Sequence, residues 1–378
     1  MEKKHNFVEL AEAQKVQKTL YCAGLDPHSM GSLEKNKAVY GSIDCRPDSV
    51  DTYFELARQA NVCGIGLQTN DRSGFAIVMA QVESYLFDVI DILVEKCNIR
   101  VFKPQYGFYE QFGFIGSFML MRVRNYIKHL ERKKDIRLIC ILDCKRGDID
   151  TTQAAYFQGL IGNLRNDWGI DYAPYDLDII NVTPYMGKDV MVLEDAKGNP
   201  GLGQILMKQG KGIIGVNKTS NPSGPEYQEL HIQEREGKTI QMCHVEDSYK
   251  WTRDYNLEYD GLSSIGLVVG STHLCNGSIR KAFSSTTLLV PGFGAQGGKF
   301  SLIMPELIRE GKWNGQGAIF SSSRGTLYPF KKSYGGSGDV KNIEEDLIKA
   351  VATFREKEEE AYNQPEVIDA GIVYPFAD

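Results

Sequence analysis

Several things are scarce in this 378-residue sequence, and each scarcity removes a class of function. Its eight cysteines are spread along the chain without a C-x-x-C pair, and Cys22 and Cys140 fall inside apolar runs where they read as buried thiols. That usage suits a reduced, cytoplasmic protein. The six histidines show no metal-ligand spacing, so a zinc site is not expected. There is no basic cluster and the formal net charge is −6, which argues against nucleic acid as a partner. The N-terminal segment MEKKHNFVELAEAQ lacks an apolar signal core, and the stretch FGFIGSFMLM is too short and glycine-broken to span a bilayer. No membrane association is expected. Neither a repeat nor a low-complexity block appears.

What the chain does have is apolar content of 42%, enough to bury a large core. Short β-branched runs recur between glycine or polar turns: LYCAGL (20–25), IRVFK (99–103), RLICILD (137–143), LDIINVT (177–183), GIIGVNK (212–218), IGLVVG (265–270), TLLVPG (287–292) and AIFSSS (318–323). Their near-continuous apolarity suits parallel strands covered on both faces. Helical patterns fill most gaps: VDTYFELARQA, YLFDVIDILVEKC, FMLMRVRNYIKHLERKK and KFSLIMPELIREG. Eight alternations predict one (β/α)8 TIM barrel over residues 1–338, with a doubly wound sheet as the second choice. Segments 28–74 and 221–260 read as insertions. KKSYGGSGDV (331–340) reads as a flexible linker into a C-terminal helix and tail, 339–378, packing on the barrel, with FREKEEE as that helix's solvated face.

In such a barrel the active site is built at the C-terminal ends of the strands, and the unusual residues fall there. GLDP puts Asp26 after the first strand, and Lys103 closes the second. The third runs into ILDCKRGDIDTT (141–152), where Asp143, Lys145 and Asp148 stand on a D-x-K-x-x-D spacing with Thr152 just beyond. Residues two apart on a strand point the same way, so Asp143 and Lys145 project together. A carboxylate beside it keeps an ammonium protonated, which makes Lys145 a candidate proton donor. Alone, the motif is also what a solvated charged turn looks like. The fifth strand leads into KTSNPSG, the seventh into PGFGAQGG and the eighth into SSSRG. Glycines 292, 294, 297 and 298 let backbone N–H groups approach an anion, Gln296 adds a donor, and Arg324 can clamp a phosphate. GFGAQG also matches the dinucleotide spacing G-x-G-x-x-G, but the strand that follows ends in SSSRG without the acidic residue such a site uses.

Taken in order, GLDP, FK, DxKxxDI with a threonine four residues on, a Thr/Ser–Asn–Pro loop, PGxGAQGG and a final arginine–glycine turn resemble orotidine 5′-phosphate decarboxylase, in its long-loop branch. The resemblance spans residues 20 to about 330. It departs in the lengthened 28–74 segment, in the spelling SSSRG and in the tail after 338. It implies decarboxylation of orotidine 5′-phosphate to UMP, the last step of de novo pyrimidine nucleotide synthesis, without a cofactor. On this resemblance Asp26 holds a ribose hydroxyl and Lys103 supports the charge array near the sugar. Asp143 and Lys145 sit at the pyrimidine C6, and Asp148, assisted by Thr152, reaches in from the partner of a homodimer. Thr219 and Ser220 read the ring's amide edge, while Gln296, Arg324 and Gly325 grip the phosphate. Three rivals remain: a metal-dependent phosphosugar decarboxylase on the same barrel, a non-catalytic phosphate-ligand sensor, and a nicotinamide oxidoreductase.

Overall fold

Eight parallel strands close on themselves in the computed structural model, which describes residues 5–27, 43–62, 72–163, 171–270, 276–292, 300–309 and 311–376. The strands are β1 (Tyr21–Gly24), β2 (Val101–Lys103), β3 (Ile139–Arg146), β4 (Ile179–Val182), β5 (Gly212–Lys218), β6 (Ile265–Val269), β7 (Leu288–Pro291) and β8 (Ala318–Ser322). Each pairs with its sequence neighbour, and β1 pairs with β8 through Tyr21 opposite Phe320 to complete the cylinder. All eight coincide with the apolar runs of the sequence. The architecture is the (β/α)8 barrel.

The long helices are α1 (Asn6–Gln17), α2 (Pro47–Val62), α3 (Arg72–Glu95), α4 (Gly113–Lys134), α5 (Asp150–Leu160), α6 (Leu202–Lys208), α7 (Ile240–Asp254) and α8 (Ile343–Tyr362). Helix α1 plugs the bottom of the barrel. Its Phe7, Val8, Leu10 and Ala11 join Cys22, Val101, Ile139, Ile141, Ile179, Ile214, Val268, Leu289 and Ile319 in one apolar cluster, which is the barrel interior. A side chain on Gly212 would strike the Phe7 ring, so that strand start is left bare to admit it. Burying a phenylalanine stabilises by about 1.5–3 kcal/mol. A second, larger cluster fills the layer between the outer strand faces and the helices. Because side chains alternate along a strand, the inward face that holds these apolar residues low in the barrel carries Lys103, Asp143, Asn181 and Ser321 at its upper rim.

Two sequence readings change. KFSLIMPELIREG was expected to be a helix, but only Phe300–Ile303 is α-helical, followed by a 3₁₀ turn at Met304–Leu307. Pro305 supplies no N–H to continue the ladder. The linker expected to be flexible is instead tied down. Ser337 donates its N–H to Asp346 of α8 (3.0 Å), and Gly338 donates to the Phe330 carbonyl. Within 28–74, residues 28–42 and 63–71 lie outside the described residues, while α2 docks on buried Glu83 of α3 through Ser49 Oγ (2.7 Å) and Tyr53 OH (2.9 Å). Within 221–260, a helical turn and a short hairpin (231–232 with 238–239) precede α7, whose Cys243, Val245 and Trp251 are buried. Helix α8 staples the far end of the chain to the barrel floor. Its Glu358 accepts from Leu20 N–H (2.9 Å) and Thr19 Oγ1 (2.6 Å), and Arg355 Nη2 donates to the carbonyls of Gln17 and Cys97.

Candidate active site

The upper rim encloses a cavity of about 380 Å³ whose wall includes Asp26, Lys103, Asp143, Lys145, Asn181, Thr219, Ser220 and Arg324. A larger cavity of about 1120 Å³ lies between α8 and the turn at Arg324. It holds none of the aspartate–lysine set, so chemistry, not size, marks the site. All eight strands contribute to the smaller cavity through residues at or just past their upper ends.

Opposite charges alternate along one side of it. Asp26 Oδ2 stands 4.0 Å from Lys103 Nζ, Lys103 Nζ is 3.4 Å from Asp143 Oδ2, and Asp143 Oδ1 pairs with Lys145 Nζ. Burial opposes the Lys103 ammonium, yet the Asp26 and Asp143 carboxylates outweigh it and hold its pKa above the usual lysine range. Burial likewise opposes the Asp143 carboxylate. Lys103 and Lys145, with the Lys145 and Asn181 hydrogen bonds, reverse the balance and hold it down to about 2. Lys103 is almost wholly buried, whereas the Lys145 side chain is 46% exposed toward the cavity mouth. The first lysine is fixed in a charge lattice; the second has one face open to a ligand.

The other side of the cavity is built from loops held by close backbone approach. A Cβ on Gly24 would lie 2.2 Å from Ser323 Oγ, and one on Gly270 would lie 2.8 Å from Ser220 N. Glycine at these places lets the loops after β8 and β5 close in. Gln228 clamps Thr219, taking its N–H (2.9 Å) and donating to its Oγ1 (2.7 Å). The Thr219 hydroxyl proton is thereby left to point elsewhere. Arg324 opens the turn after β8, with Gly325 beside it, and Gly292 reaches the cavity at a φ of +102°. Gln296 and glycines 294, 297 and 298 lie outside the described residues.

The structure therefore gathers Asp26, Lys103, Asp143, Lys145, Thr219, Ser220 and Arg324 around one space. It does not bring in Asp148 or Thr152. Asp148 bonds its own neighbour's N–H (Ile149, 2.7 Å), Thr152 is exposed on α5, and neither lines the cavity. Apolar Ile149, Tyr156, Tyr172 and Tyr185 are exposed, the last at 75%. Sequence reasoning missed Asn181, Gln105 and Gln228. Asn181 was detectable: counting by two from Ile179 on β4 puts it on the same inward rim as Asp143. Gln105 donates its N–H to Asp26 Oδ1 (2.9 Å), a backbone contact without a sequence signal. Among the described residues, no group of three or more His, Cys, Asp or Glu side chains is disposed to hold a metal ion, and no helix is long and apolar enough to cross a membrane.

Comparison with known proteins agrees with the geometry. A family model described as the orotidine 5′-phosphate decarboxylase / HUMPS family matches residues 83–325. The orotidine 5′-phosphate decarboxylase of Clostridium novyi (strain NT) is 31% identical over 305 residues, which is 79% of this chain and 94% of that protein. The enzyme of the same name from Rhodopirellula baltica is 31% identical over 282 residues, 74% of this chain and 84% of its own. Among solved structures, orotidine 5′-monophosphate decarboxylase from Plasmodium berghei has a TM-score of 0.62 at 18% identity, covering 96% of this chain and all of that one, a likeness of fold.

Proposed function

Because the chain belongs to the orotidine 5′-phosphate decarboxylase / HUMPS family, we propose that it converts orotidine 5′-phosphate to UMP and carbon dioxide, closing de novo pyrimidine nucleotide synthesis. The observation that carries this reading is the alternating set Asp26–Lys103–Asp143–Lys145 on one wall of the cavity. Breaking the bond from C6 to the carboxylate leaves an electron pair on C6 with little resonance relief. A preorganised cation at that point both stabilises the charge and supplies the proton. Lys145 is that cation. Its ammonium gives a proton to C6, the neutral amine recovers one from water, and no electrons change hands with any cofactor.

The remaining residues divide the substrate among them. Asp26 and Lys103 take the ribose side, Thr219 and Ser220 the amide edge of the ring, and Gln296, Arg324 and Gly325 the phosphate. Binding the remote phosphate supplies interaction energy that is realised at the reacting carbon. Asp148 and Thr152 enter from a second copy of the chain in a homodimer, which accounts for their standing outside the cavity of their own chain. Against the metal-dependent rival stands the donor set: both Asp143 oxygens face ammonium groups, leaving a divalent ion two like charges to confront.

The test is the fall in ultraviolet absorbance of orotidine 5′-phosphate on adding chelator-treated protein, with UMP identified as product. Conversion is expected to be the same with and without chelator. Binding without turnover would establish a sensor instead. Activity lost to chelator and restored by magnesium would establish the metal-dependent lyase.

A further inference from the structure

We infer that Asn181 is a positioning residue that holds Asp143 and Lys145 in register for proton transfer, an assignment resting on the reading of Lys145 as proton donor. Asn181 is 1% exposed and sits on β4, the neighbour of the catalytic strand. The ladder between β3 and β4 breaks where the chemistry lies. Leu142 pairs with Ile180 and the next partners are Arg146 and Val182, so four steps on β3 span two on β4. The surplus forms a bulge, and Lys145 within it takes a φ of +46°. Bulges re-aim side chains but leave ladder groups unpaired. The Asn181 amide fills that gap. Its Oδ1 accepts from the N–H groups of Cys144 (2.8 Å) and Lys145 (2.7 Å), and its Nδ2 donates to Asp143 Oδ1 (2.7 Å).

The orientation of this amide is forced. Two backbone N–H donors can face only its oxygen, so its NH₂ faces the carboxylate. One side chain therefore fixes the backbone of the lysine and the rotation of the carboxylate together. With Oδ1 held by Asn181 and Lys145, Oδ2 of Asp143 is left to Lys103. An aspartate at position 181 keeps the acceptor half of this arrangement and loses the donor half, unless its carboxyl is protonated. Protonated, it donates to Asp143 as the amide does, because two lysines keep Asp143 ionised. Ionised, it repels Asp143 and competes for Lys145.

The experiment compares kcat and KM for orotidine 5′-phosphate across pH in wild type, Asn181→Asp and Asn181→Ala. The ratio of Asn181→Asp to wild-type kcat is expected to be highest at low pH and to fall by roughly tenfold or more as pH rises, with KM little changed. A packing role alone would lower Tm and leave that ratio flat. A flat ratio in the folded variant, or a loss confined to KM, overturns the assignment. Should Asn181→Ala fail to fold, Asn181→Asp carries the test, since it keeps both backbone bonds. Trace labelling of lysines with a small amine reagent, read by mass spectrometry, measures the same hold without turnover. At alkaline pH Lys145 is expected to label several-fold faster in Asn181→Ala, which loses the hold, and several-fold slower in Asn181→Asp, whose added carboxylate holds the ammonium. Unchanged labelling in the folded variants overturns the assignment. If wild type proves inactive on orotidine 5′-phosphate, the proposed function falls, and the labelling result decides the role of Asn181 on its own.

Discussion

Lys145 occupies a backbone conformation that a lysine has no local reason to adopt. Such residues cost about 1–3 kcal/mol and persist only where their surroundings over-determine them. Here the Asp143 carboxylate and the Asn181 amide do so. Lys145→Ala is expected to leave the fold intact, since Asp143 keeps Lys103, while abolishing turnover. Loss of one preorganised electrostatic group typically costs a factor of about 10²–10³, and here the proton source leaves as well. Circular dichroism and single-turnover kinetics check both halves; a folded variant within about tenfold of the parent would remove Lys145 from this role. Arg324→Ala is expected to raise KM and lower kcat/KM for the phosphorylated substrate, with partial recovery on adding a free guanidinium compound. Equal losses on orotidine with and without its phosphate would assign Arg324 elsewhere. Charge made these residues legible in the sequence: Asp143 and Lys145 interrupt an apolar run. Asn181 interrupts one too, but an uncharged amide between Ile180 and Val182 announces nothing until the strand's alternation is counted. Asp148 and Thr152 were legible as a motif and yet not as a place, because spacing along a turn does not fix which chain's cavity a side chain enters.

At the level of elements, the strands were readable because both faces are buried and each run is uniformly apolar. The helices were less so. Helix α1, with its mixed composition, gave no sign that Phe7 plugs the barrel, since that role depends on two glycine-bearing strands far away in sequence. Helix α8 was visible as a helix, but its anchor was not. Glu358 is completely buried against Thr19 and Leu20. Burial pushes its carboxyl up to about 7 against the weaker downward pull of those two hydrogen bonds. A pKa raised on folding contributes stability that is whole below the unfolded value, near 4.5, and is lost as pH climbs through about 7. At 1.36 kcal/mol per pKa unit the swing is on the order of 3 kcal/mol. Glu358→Gln, which accepts from Leu20 and donates to Thr19 without charge, should match wild type in Tm near pH 5 and exceed it by a few degrees above pH 8. A Tm difference that does not change with pH would show that Glu358 does not titrate in this window.

For the whole molecule, the decisive prediction concerns assembly. If each site combines Lys145 of one chain with Asp148 of another, inactive Lys145→Ala and inactive Asp148→Ala chains should repair each other after subunit exchange. Random reassortment makes half the dimers hybrid, each with one intact site, so activity should return to roughly a quarter of wild type under two-fold pairing. No recovery, with exchange confirmed by mass, would place Asp148 in its own chain's site. The barrel closure also bears on synthesis. The seam between β1 and β8 joins residues about 300 apart, a loop whose closure entropy is met only once, and Asp26 and Arg324 face one cavity from either side of it. A ribosome must release nearly all of this barrel before the first strand finds its last neighbour. During translation the chemical half of the cavity can gather early from the first four strands, but the half that grips phosphate arrives last. A message cut short before β8 should therefore yield no weak enzyme, only an open sheet with two unpaired edges for chaperones and proteases to clear.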